Sequence, residues 1–163
     1  MLLLTFTVAG EPYALDVAAV IELVPRVELR AIPHAPAYLA GLLGYRGEVV
    51  PVIDLGLLLG SSSSSDRLST RIILVKSVPG GHNRGEEPRD PAGGDARIVG
   101  LIAERAIDLV HVGPEQVTPA PVHLPQAPYL DSVARIDRGF VPLIAVEKLS
   151  LVINPWSSVE SNP

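Results

Sequence analysis

The sequence predicts a mainly β protein, built as a small barrel or sandwich with a few short helices. Three observations carry that expectation. Short runs of Val, Ile and Leu recur along all 163 residues, each closed by Gly, Pro, Asp or Ser within a few positions. Helical signals are weak and short. Strand-like runs also follow one another directly instead of alternating with helices, which argues against a βαβ protein.

Taken in order, Leu2–Val8 reads as a first strand, Gly10-Glu11-Pro12 as a turn, and Tyr13–Leu15 as its partner. Asp16 reads as a cap for the turn at Val17-Ala18-Ala19, before a strand at Val20–Val24. The segment Ile32-Pro33-His34-Ala35-Pro36 is rigid and extended, and Pro36–Ala40 is expected to make a helical turn. Strands follow at Leu42–Tyr45 and Val49–Ile53, joined by a hairpin turn at Arg46-Gly47 where glycine supplies positive φ. Asp54 then reads as the cap of a helical turn over Leu55–Leu59. The serine run Ser61–Ser65, within a Ser-rich loop over 61–70, has no apolar surface to bury and is expected to be mobile. Strands at Arg71–Ser77 and Arg97–Ala103 flank a Gly/Pro-rich, charged stretch, 78–96, expected to be a disordered hairpin insertion. Tyr129–Ile136 and Phe140–Ala145 form the last predicted hairpin, turning at Arg138-Gly139, before a helical turn at Val146–Leu151. The tail, 152–163, carries no clear element, and Trp156 is expected to pack back onto the body.

Composition bounds the function. The chain is 47% hydrophobic but only 4% aromatic and 19% charged, with mean hydropathy +0.33. No apolar run reaches the ~20 residues of a helical membrane span, and the N-terminus lacks the basic region of a signal peptide, so a cytosolic protein is expected. Its apolar content then calls for a large aliphatic core, or for a core plus an apolar binding surface. Lys+Arg 13 against Asp+Glu 18 gives a net charge of −5, which disfavours binding driven by phosphate neutralisation. The absence of cysteine removes disulfide scaffolds, Cys-ligated zinc and thiol catalysis.

Catalytic patterns are scarce. There is no G-x-S-x-G elbow, no phosphate loop and no H-E-x-x-H motif. His34, His82, His111 and His123 never stand at i, i+4 spacing. Asp54, after an apolar strand, invites comparison with a phospho-acceptor aspartate. That chemistry needs companion carboxylates and a lysine, whereas the chain has only Lys76 and Lys148 and no acidic pair before a strand. Capping is the better reading. Arg46, at a turn amid apolar residues, is either simply solvated or a guanidinium beside an apolar patch, a pairing enriched in interfaces. An internal echo also stands out: Arg46-Gly47-Glu48-Val49-Val50-Pro51-Val52-Ile53 resembles Arg138-Gly139-Phe140-Val141-Pro142-Leu143-Ile144. It reflects either two hairpins with similar turns or two similar small barrels.

Beyond these patterns, the chain resembles the CheW-like domain, the receptor–kinase coupling adaptor of bacterial chemosensory arrays. The resemblance runs from Leu3 to Leu149. Phe6–Val17, Val20-Ile21-Glu22, Ile32-Pro33, Pro36–Gly41, Tyr45–Leu55, Val99–Ile102 and Tyr129-Leu130 come in the family's order, the Arg46–Leu55 block being the most specific. The resemblance implies one CheW-like domain over 1–151, formed by two intertwined, SH3-like, five-stranded β-barrels sharing a hydrophobic core. It implies no enzymatic activity and no cofactor. The implied partners are the cytoplasmic signalling tip of methyl-accepting chemoreceptors and the regulatory domain of a CheA-type histidine kinase. Localisation would be cytoplasmic, with recruitment to membrane-associated receptor arrays. By matching position, Arg46, Val20 and Glu22 are implied at the receptor or kinase interface, while Gly47, Pro51 and Asp54 serve as turn and cap. The sequence departs from the family at Gly44-Tyr45, where Asn-Leu is common, at Ala103-Glu104, and in the length of 78–96. These departures, with Leu68–Arg71, resemble adaptors of alternative systems such as the surface-sensing Wsp type. A small barrel enzyme or ligand binder, with His34 or His123 at a pocket mouth, is the reading from another class. A fragment of a larger kinase or receiver protein is a third, and Met1 directly before the first strand points instead to a stand-alone chain.

Overall fold

The computed structural model describes residues 1–64, 68–77, 97–149 and 152–153. The insertion expected at 78–96 and the tail carrying Trp156 lie outside the described residues. Among the described residues ten strands are joined into one continuous sheet: β1 (Leu2–Val8), β2 (Glu11–Asp16), β3 (Val20–Pro25), β4 (Leu39–Tyr45), β5 (Glu48–Asp54), β6 (Arg71–Ser77), β7 (Arg97–His111), β8 (Val117–Pro119), β9 (Ser132–Ile136) and β10 (Gly139–Leu143). Two one-turn helices, α1 (Leu55–Leu58) and α2 (Val146–Leu149), follow β5 and β10.

The sheet folds into two small SH3-like barrels that share β7. Its N-terminal half pairs with β6 and β5, and with β3 and β4 these complete the first barrel. Its C-terminal half pairs with β1, which leads through β2, β10 and β9 to β8 in the second. Between the halves the register slips against Thr5 and Thr7, and Arg105 takes φ 49°. A bulge of this kind bends a strand from one sheet direction to another.

Hydrophobic side chains fall into three layers. Val50, Val52, Ile72, Leu74 and Ile102 fill the first barrel. Leu3, Ala14, Val112, Ala134, Val141 and Leu143 fill the second. Between the barrels lies the largest cluster, with Leu4, Phe6, Leu15, Ile53, Leu55, Ile73, Val75, Leu101, Tyr129 and Ile144. Successive strand residues point to opposite faces, so β6 sends Ile72 and Leu74 into a barrel and Ile73 and Val75 into the shared layer. Strands buried on both faces read as unbroken apolar runs, which is how 47% hydrophobic residues fit a chain with so few aromatics.

The two barrels repeat one design. In each, a hairpin ends on a strand carrying a proline, Pro51 or Pro142, and then pairs in parallel: Val52 beside Gly100, and Leu143 beside Ala14. Val50 and Val141 face their own barrel interiors, Ile53 and Ile144 face the shared layer, and a one-turn helix follows. The internal echo in the sequence is this repeat.

Several local expectations change. The first hairpin turns at Ala9-Gly10, so Glu11 and Pro12 belong to β2. The last turns at Asp137-Arg138, where Asp137 takes φ 53°. Pro36–Ala40 is not helical: Leu39 N donates to the Pro36 carbonyl in a turn and β4 starts at once. Gly41 permits this start, because a Cβ there would meet the Arg30 carbonyl at 2.7 Å. That carbonyl accepts from Leu42 N at 2.8 Å. Tyr129 precedes β9 instead of opening it and lies 1% exposed in the shared layer. Nearby, Lys148 Nζ on α2 donates to Asp131 Oδ2 at 2.5 Å, but both side chains are about two-fifths exposed. Such a pair is worth little. Lys148→Ala is therefore expected to lower unfolding stability by less than about 1 kcal/mol in urea titrations; a loss several times larger would make the pair a structural clamp.

Candidate partner-docking site

The first barrel's rim is formed by β3 and the β4–β5 hairpin. β3 ends the strand order, pairing with β6 on one side only. Its register slips between Val20 and Glu22. Ile21 and Leu23 are about two-fifths exposed, an outward apolar pair on an edge strand. The hairpin turn is Arg46-Gly47, with φ of 47° and 80°. Positive φ at both central residues is the type I′ arrangement, which matches the natural twist of the strands. Asn or Gly usually fills its first position; an arginine there is held in the left-handed region at a conformational cost.

Three side chains converge at this rim. Arg46 Nη2 lies 3.7 Å from Glu22 Oε2. The Tyr45 hydroxyl donates to the same Glu22 oxygen. The Arg46 guanidinium also sits over the Tyr45 ring, 5.2 Å from its centroid, within cation–π range. Arg46 is 77% exposed, so its charge is presented outward. The hydrogen bond to Glu22 is the main reason the Tyr45 phenol is raised above its ordinary value, aided by burial and opposed by Arg46. Of the residues implied at the interface, Glu22 and Arg46 are thus brought together. Val20 instead packs partly against the shared core. Gly47 completes the turn, and Pro51 is buried within β5.

Asp54 has a different character. It is 3% exposed and caps α1 by accepting from Gly56 N at 2.9 Å and Leu57 N at 3.4 Å. It also accepts from Ser64 N at 3.0 Å, Ser64 Oγ at 2.8 Å and Ser63 Oγ at 3.3 Å. The serine run expected to be mobile is therefore anchored at Ser63 and Ser64. A carboxylate with both oxygens so engaged is a structural fastener. His34, His111 and His123 are exposed, and among the described residues no group of His, Asp or Glu could hold a metal ion.

A family model described as the CheW-like domain matches residues 2–152, across both barrels. The chain belongs to the CheW-like family. It is 26% identical over 149 residues to the probable chemotaxis protein CheW of Rhizobium etli, covering 90% of this chain and 85% of that one. To chemotaxis protein CheW of Klebsiella aerogenes it is 26% identical over 148 residues, 90% of this chain and 79% of the relative. A 53-residue stretch, 32% of this chain and 31% of the relative, reaches 42% identity with CheW of Treponema pallidum. The crystal structure of the scaffolding protein TtCheW from Thermoanaerobacter tengcongensis superposes with TM-score 0.73 at 25% identity, covering 91% of this chain and 86% of that chain. Against this CheW-like background, the reading with a histidine at a pocket mouth is not favoured.

Sequence reasoning did not single out Tyr45 except as a departure from the family block, nor Ile21 and Leu23. For the latter pair a signal existed: Val20, Glu22 and Val24 alternate with two large apolar residues. Alternation cannot say which face is inward when each carries two large aliphatic residues.

Proposed function

We infer that this chain is a non-catalytic adaptor coupling methyl-accepting chemoreceptors to a CheA-type histidine kinase. The CheW-like match across residues 2–152 carries the reading. The architecture suits it physically. An adaptor transmits a state change only if it is rigid and favours one arrangement of its partners over another. The shared aliphatic layer welds two barrels into one body, so a contact on one barrel has a defined position relative to the other. Cytoplasmic placement at receptor arrays follows from these partners; for the chain itself, no described helix is long and apolar enough to cross a membrane.

The rim of β3 and the β4–β5 hairpin is our candidate for one docking surface, with Arg46 as its charged anchor and Glu22 beside it, while Ile21 and Leu23 lie exposed on the other face of the same edge strand. Exposed aliphatics accept the apolar face of a helix. Titration calorimetry of the purified chain against a receptor signalling fragment, and separately against the kinase regulatory domain, tests the reading. Binding to both supports it, and no binding to either at tens of micromolar overturns it.

A further inference from the structure

We draw no further inference here: the strongest candidate, the outward face of the β9–β10 hairpin on the second barrel, where Phe140 stands 69% exposed opposite Arg135, carries nothing because nothing in the structure shows what covers it.

Discussion

Asp54→Ala is expected to unfold about 4 kcal/mol more easily than the wild type, a loss large enough to threaten folding of a domain this size. The side chain exceeds an ordinary helix cap, whose loss costs about 0.5–2 kcal/mol. It is 3% exposed and serves donors from two segments, Gly56 and Leu57 on α1, and Ser63 and Ser64 nine to ten residues on. Truncation leaves Gly56 N, Ser64 N and Ser64 Oγ without their acceptor in a buried site, and each buried unpaired donor costs about 1–3 kcal/mol. Backbone packing prevents an easy collapse into the gap, since even a Cβ on Gly56 would come within 2.2 Å of the Ser62 carbonyl. Asp54→Asn keeps one acceptor oxygen and is expected to lose about half as much. Urea unfolding supplies the stabilities, and amide exchange at Ser63 and Ser64 should accelerate in both variants. A loss within about 1 kcal/mol for Asp54→Ala would show that solvent replaces the carboxylate, and the fastener assignment would fall.

This same residue shows how far local chemistry is legible in a sequence. An aspartate directly after an apolar strand and before Leu55-Gly56-Leu57 announces a cap, because the donors it serves are the next residues along. The serines it also holds are nine and ten positions away, and nothing in a polar run distinguishes an anchored loop from a free one. The strands were readable for the same local reason: β1, β5 and β6 are β-branched or aliphatic runs bounded by turn residues. β7 was readable only to Ala103. Glu104 and Arg105 break its apolar run, whereas in the fold they sit at the bulge where the strand passes from one barrel to the other. The three-residue β8 is too short to carry a period. The candidate docking rim was half legible. Arg46 stood out at its turn, but its relation to Glu22 and Tyr45 depends on bringing β3 alongside the β4–β5 hairpin, which single-segment patterns do not encode.

Arg46 supports the complementary prediction, a large effect on binding with almost none on folding. Its side chain is 77% exposed, and its ion pair with Glu22 is long, so neither contact contributes much stability. Its backbone takes φ 47°, a conformation that asparagine adopts more readily than arginine. Arg46→Asn is therefore expected to be at least as stable as the wild type in thermal unfolding, yet to bind the partner of this rim about ten-fold more weakly. Arg46→Glu keeps the turn but reverses the charge at the hairpin tip and places a second carboxylate beside Glu22. Its affinity is expected to fall on the order of 100-fold, or about 2.7 kcal/mol. Circular dichroism should leave both variants indistinguishable from wild type in fold. The opposition of these two readouts is what matters: a residue kept at a strained hairpin position for folding would lose stability when replaced by asparagine. Retained stability with lost affinity in Arg46→Asn would show that the strain is tolerated to put a guanidinium at the tip. If Arg46→Asn proves clearly less stable than the wild type, or if Arg46→Glu binds both partners normally, Arg46 is a turn residue and the docking surface lies elsewhere on the barrels.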